Sequence, residues 1–221
     1  MITVHHLENS RSQRILWMLE ELGLDYELQR YAREPSMQAP ASLRAVHPLG
    51  KSPVITDGDT TLAESGAILE YLSAVYGGGR FTPAAGTPEW LHYTYFMHYA
   101  EGSLMPLLFM KLVFGKLPER VPFLMRPVAR AISGGADKTL LAPQISNHFA
   151  FLEGELHKRE WFAGASFSAA DIQMSFPLEA AAARSPLFAR LPKLKAFVDR
   201  IQARPAYKRA VEKGGHYEIL K

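Results

Sequence analysis

Pro53-Val54-Ile55-Thr56-Asp57-Gly58-Asp59-Thr60-Thr61-Leu62-Ala63-Glu64-Ser65 decides the fold. Residues 53–56 and 59–63 are β-rich runs, and Asp57-Gly58 between them readily takes the positive φ that a two-residue hairpin turn needs. Glu64-Ser65 then opens a helix whose Ile68, Leu69 and Leu72 form one apolar stripe. Upstream, Ile2 to His5 is a short strand. Asn9-Ser10-Arg11-Ser12 supplies helix-start residues before Ile15, Leu16, Leu19 and Leu22, which share a helical face. Gly23 stands where a helix end wants a left-handed residue. Tyr26-Glu27-Leu28-Gln29 alternates as a second strand, and a β-α-β connection of this kind calls for parallel strands joined by a right-handed crossover. The segment Pro35 to Pro48 is bounded by prolines and carries a short helix around Ser36 to Ala45. Residues 1–76 therefore read β-α-β-α-β-β-α.

Everything after residue 88 reads as helix, across a seam at 77–87 that holds Gly77-Gly78-Gly79 and Pro83. An α+β chain follows, with a mixed domain over 1–76, a linker over 77–87 and an all-α domain over 88–221. Pro88 to Val113 is a long, aromatic-rich helix, while Ile145, Phe149, Leu152 and Leu156 keep helical spacing. Ser168-Ala-Ala-Asp171 is a capping box with Asp in place of Glu, and Leu194, Phe197, Val198 and Ile201 make the last stripe.

The 221 residues are 48% hydrophobic and 21% charged, which excludes a disordered or collagen-like chain. There is no cysteine, so disulfides, thiolate metal sites and a cysteine nucleophile are excluded. Any thiol chemistry must use a thiol brought in from outside. No apolar run reaches the roughly 18 residues of a membrane span, and Met1-Ile-Thr-Val-His-His lacks the basic start of a secretion signal. The expectation is a cytoplasmic protein with no membrane partner. The net charge of +3 comes from basic residues scattered along the chain, which argues against nucleic acid. His5 and His6 in a strand point to opposite faces, so no metal site is expected there. Metalloprotease, nucleophile-elbow and phosphate-loop patterns are missing.

Four strings stand in order along the chain: Asn-Ser-Arg-Ser-Gln-Arg at 9–14, His-Pro-Leu-Gly-Lys-Ser-Pro-Val at 47–54, Glu-Ser-Gly-Ala-Ile at 64–68 and Phe-Ser-Ala-Ala-Asp at 167–171. On these the chain resembles the cytosolic-type glutathione S-transferases, bacterial in flavour. The resemblance implies a thioredoxin-like first domain, glutathione as co-substrate with no prosthetic group, and attack of its thiolate on a small hydrophobic electrophile. It also implies a cis Ser52-Pro53 bond that leaves the Val54 main chain turned outward to pair with the tripeptide like an added strand. Glu64 and Ser65 sit at a helix start, where free amides and the dipole attract an anion, so Ser65 suits the glutamyl carboxylate and Glu64 its ammonium. The same two residues also make an ordinary N-cap and first-turn acid. Lys51 and Gln38 are candidates for the glycyl carboxylate or the peptide backbone.

The family places Tyr, Ser or Cys after the first strand, and this chain has neither Tyr nor Cys there. The candidates for activating the thiol are Asn9, Ser10 and Ser12, with Ser12 also fit to cap the helix. Lowering a thiol from about 8.5 by roughly two units takes about 2.7 kcal/mol. One hydrogen bond to a charged group supplies roughly 1.5–3 kcal/mol, so a single donor is enough. Tyr99, Ser103, Met105 and Phe109 lie along the long helix and are candidates for the electrophile pocket or for interdomain core. Residues 111–138 carry six Lys or Arg against two acids, which suits anionic acceptors or a solvated face. Trp90-Leu91-His92-Tyr93-Thr94-Tyr95-Phe96 has more apolar faces than one core needs, and a homodimer is expected. The rival readings are a ligand-binding protein without catalysis and a glutathione-dependent peroxidase or disulfide reductase.

Overall fold

The computed structural model describes residues 1–34, 38–185, 188–215 and 217. The first half runs β1 (Ile2–Leu7), α1 (Gln13–Leu22), β2 (Tyr26–Tyr31), α2 (Ala41–Val46), β3 (Val54–Asp57), β4 (Thr60–Ala63) and α3 (Ser65–Tyr76). The sheet order is β2-β1-β3-β4, with β2 parallel to β1 and the other two pairs antiparallel. This is the thioredoxin-like βαβαββα order expected from the sequence. The second half is helical: α4 (Pro88–Tyr99), α5 (Met105–Arg120), α6 (Arg126–Ala136), α7 (Ala142–Lys158), α8 (Ala169–Arg184), α9 (Pro192–Ala203) and α10 (Pro205–Gly214).

Local chemistry accounts for most boundaries. Gly23 ends α1 at φ 70°, ψ 32°, the left-handed region that glycine enters without steric cost. Asp171 closes α8's capping box, its carboxylate accepting from the Ser168 N–H at 2.9 Å and from the Phe162 N–H at 2.8 Å. The Ile68, Leu69, Leu72 stripe of α3 is fully buried, and so are Phe149 and Leu152 of α7. The halves share one apolar core. Trp17 of α1 meets Phe167 and Tyr207 at ring separations of 5.5 and 5.2 Å.

Four local expectations change. The hairpin pairs Asp57 with Thr60, so its loop is Gly58-Asp59, one residue later than expected; Gly58 alone takes positive φ, the pattern of a type II′ turn with glycine first. The short second helix starts at Ala41, after an extended Pro40, while Pro35, Ser36 and Met37 lie outside the described residues. The long helix does not run unbroken from Pro88 to Val113: a π-helical turn at Ala100–Leu104 separates α4 from α5, which continues to Arg120. Ser12 stands at the start of α1 but does not cap it with its side chain. An N-cap hydroxyl needs an extended backbone, whereas Ser12 is helical at φ −64°, ψ −19° and turns its hydroxyl to the sheet. No helix among the described residues is long and apolar enough to cross a membrane.

Candidate functional site

The start of α3 is set by a strained residue. Glu64 takes φ 72°, ψ 120°, a region that costs a non-glycine residue about 1–3 kcal/mol, and Asn9 likewise takes φ 51°. These are the two non-glycine residues with positive φ among those described, and they come from the two loops, after β1 and before α3, that carry the sequence candidates. Ser52-Pro53 is cis. A cleft of about 220 Å³ opens here, lined by Arg11, His47, Leu49, Lys51, Ser52, Pro53, Ala63, Glu64, Ser65 and Glu101. The first amides of α3 have no helical partner and give its floor a partial positive charge. His47 Nδ1, on the cleft wall, is buried without a hydrogen-bond partner.

Beneath the cleft Arg14 is 1% exposed. Its Nη1 donates to Ser65 Oγ at 3.0 Å, to Glu101 Oε1 at 2.7 Å and to Gln173 Oε1 at 3.1 Å. Arg11 Nε donates to the same Glu101 oxygen at 2.9 Å, and both guanidiniums lie 5.1 Å from the Phe176 ring. Two guanidiniums on one carboxylate leave a net positive charge at the cleft. Burial pushes the Glu101 carboxyl up, but Arg14 and Arg11 outweigh it and hold the group below its usual range. Arg14 Nε and Nη2 are buried and unpartnered. Ser65 thus has a hydroxyl oriented by a buried arginine, a contact that the local pattern around Ser65 does not disclose. Arg11 and Arg14 stood in the first string without a role, and nothing near Glu101 in the chain marks it.

Of the three candidates for the thiol, none lines the cleft. Ser10 is 6% exposed and Ser12 fully buried. Ser10 Oγ lies 2.8 Å from Ser12 Oγ and 3.3 Å from Ser52 Oγ, and Ser12 Oγ lies 2.8 Å from His6 Nδ1. Ser52, which its sequence context did not single out, is the hydroxyl on the wall. Asn9 accepts from Arg33 Nη2 at 3.3 Å through its carbonyl. Burial drives His6 down to about 4, with Arg30 adding to the effect and the Gly214 carbonyl opposing it. His6 is neutral near pH 7.

The other expectations divide. Lys51 is exposed at the cleft, whereas Gln38 is exposed away from its lining. Val54 is fully buried between His5 of β1 and Ala63 of β4, so its main chain is not turned outward as expected; strand partners flank it on both sides. Tyr99, Ser103, Met105 and Phe109 do not converge on the cleft. A π turn holds one extra residue, which rotates the helix beyond it by about 100°. Tyr99, before the turn, is core, stacked on Tyr95 and bonded through its hydroxyl to His148. Ser103 is exposed, Phe109 is 58% exposed, and Met105 packs with Phe176, Ala180 and Tyr217.

Comparison with known proteins agrees with this geometry. Residues 1–74 match the model of the glutathione S-transferase N-terminal domain, and residues 106–205 that of the C-terminal domain. Glutathione S-transferase 3 of Schizosaccharomyces pombe is 36% identical over 96% of this chain and 88% of its own. Glutathione S-transferase 1 of Saccharomyces cerevisiae is 34% identical over 82% and 81%. A glutathione S-transferase structure from Actinobacillus pleuropneumoniae superposes with a TM-score of 0.79 at 33% identity, covering 100% of this chain and 96% of that one. A sphingomonad glutathione S-transferase solved with glutathione gives 0.72 at 25% identity, covering 96% and 98%.

Proposed function

The chain belongs to the glutathione S-transferase family, and on that premise we propose that its interdomain cleft holds glutathione as co-substrate and presents the thiolate to a small hydrophobic electrophile. The observation that carries this reading is the start of α3. Ser65, its hydroxyl fixed by Arg14, and the adjacent free amides suit the glutamyl carboxylate; Glu64 beside them suits the ammonium. Lys51 and His47, on the opposite wall, suit the glycyl carboxylate. The net positive charge of Arg11, Arg14 and Glu101 favours an ionised sulfur nearby. No step requires a metal or prosthetic group.

Calorimetry tests the site. Glutathione should bind saturably at millimolar concentration or below, and heat that never saturates overturns the reading. Glu64→Gln should weaken glutathione while sparing an analogue without the glutamyl ammonium. A homodimer in the cytoplasm is part of the same proposal. Leu91 and Tyr95 of α4, 62% and 49% exposed, are one turn apart and continue into Phe151 of α7 at 6.1 Å. Light scattering that returns the monomer mass at micromolar protein overturns the dimer.

A further inference from the structure

We propose that the tip of the hairpin formed by α5 and α6 docks on an anionic lipid bilayer, with Phe123, Leu124 and Met125 entering the interface and Arg120, Arg126 and Arg130 facing the headgroups. Lys111 of α5 pairs with Asp137, just past α6, at 2.7 Å. Lys111 stands as many positions before Leu124 as Asp137 stands after it, so the helices run antiparallel and Leu124 is the apex. Phe123, Leu124 and Met125 form a 3-10 turn there and are 75%, 85% and 51% exposed. At three residues per turn their side chains fan out about 120° apart, so a flat protein partner covers one or two of them. A fluid lipid layer surrounds all three.

The main chain of the tip suits the same place, because lipid gives backbone groups no partner. Pro122 and Pro127, on either side of the turn, have no N–H to lose. The Met125 N–H donates to the Pro122 carbonyl at 2.8 Å, and the Arg126 N–H to that of Phe123. Helix α6 continues the pattern about its buried Ala129. At 100° per residue, Val128 and Ile132 take one flank of Ala129, and Arg126 and Arg130 take the other. Val128 and Ile132 are 50% and 55% exposed. A basic helix of this kind lies in a membrane surface with its apolar flank inward.

Charge selects the occupant. Residues 116–130 hold Lys116, Arg120, Arg126 and Arg130 against Glu119 alone. Lys116 pairs with Glu119, whereas the three arginines make no ion pair among the described residues, and Arg126 lies 5.9 Å from the Phe123 ring. A second copy of the tip would set these cations against their like. The dimer face at Leu91 and Tyr95 lies up to about 40 Å back along the same run of helix, at 1.5 Å per residue, and leaves the tip free. The expectation of no membrane partner rested on the lack of a spanning run, and a tip that rests on the surface needs none. Docking does not depend on what the cleft holds.

Co-sedimentation with vesicles tests this. The protein should sediment with vesicles of two parts phosphatidylcholine to one part phosphatidylglycerol, far less at high salt, and hardly at all with phosphatidylcholine alone. Phe123→Ser with Leu124→Ser should lower partitioning at least about tenfold, and Arg126→Gln with Arg130→Gln about tenfold or more. Both pairs should keep the parent melting temperature, since the replaced side chains are exposed. Leu124→Trp, which keeps the tip apolar, should shift its fluorescence to the blue on the same vesicles. A parent protein that stays in the supernatant, serine variants that sediment as well as the parent, or a Leu124→Trp emission that vesicles leave unchanged overturns the proposal. So does a serine pair that loses oligomer mass in light scattering without vesicles, because a second copy then covers the tip.

Discussion

Two carboxylates of the helical half lie near Arg14, one still 31% exposed and the other buried, and their pKa values shift in opposite directions. Glu101, beside the cleft, meets Arg11 and Arg14 and stays charged, below its usual range despite burial. Glu179, deeper in α8 and 3% exposed, meets the hydroxyls of Tyr207 and Tyr217 and the Gln202 amide at 3.1 Å. Burial pushes it up to about 7, with those donors and the more distant Arg14 opposing. Neutral donors do not replace a guanidinium. The cations stand at the cleft, and the inner carboxyl, without one beside it, is raised by burial.

Arg14→Met should break this contrast most severely. It leaves Glu101 with a single half-exposed partner and removes the donor of Ser65 and Gln173, and breaking a buried pair from one side costs about 3–5 kcal/mol. Urea unfolding measures it, and a loss under about 1 kcal/mol means the cation does not decide.

Glu179 makes the next prediction. Its pKa rises on folding from 4.5 to about 7, so the native state binds more protons across that window and stability falls as pH rises through it. The fall should approach about 3 kcal/mol, at about 1.4 kcal/mol per unit. Glu179→Gln keeps the hydrogen bonds without the charge and should flatten that part of the pH curve. His6 works the other way. Lowered from 6.5 to about 4, it subtracts stability as pH falls through that interval, so the comparison must be made variant against parent at each pH.

Ser65→Ala should weaken glutathione binding by about 1–3 kcal/mol, the cost of leaving a charged group short of a hydrogen bond. Isothermal titration reads it directly. Stability should change less than for Arg14, because the guanidinium keeps Glu101. Arg11→Ala should have the smallest effect on folding, about 0–1 kcal/mol, since its side chain is 36% exposed. A larger loss than Arg14→Met would reverse the ranking of the two arginines.

How legible each feature was in the sequence depends on the range of the interactions behind it. The cap at Gly23, the box of Ser168 and Asp171, and the buried stripe of α3 each depend on residues within a few positions, and the sequence names them. The hairpin came out one residue away, because Asp57-Gly58 and Gly58-Asp59 both suit a tight turn and pairing with β1 chooses between them. Ser12 shows the opposite case. As a serine before a helix it has the pattern of a cap, but His6 in the adjacent strand offers its hydroxyl a buried partner at 2.8 Å.

The sequence by itself determined the βαβαββα order, the helical second half and the family, because periodicity and capping are local and the strings sit in short loops. Only the tertiary structure decided what the buried polar side chains touch. Arg14 meets Glu101 and Gln173 across 87 and 159 positions, and Ser52 meets Ser10 across 42. On the long helix, the fate of Phe109 turned on a π turn that one extra residue creates. A buried charge or hydroxyl takes the partner that packing brings to it, and packing is set by the whole core; a helix face read at 3.6 residues per turn holds only until the period changes.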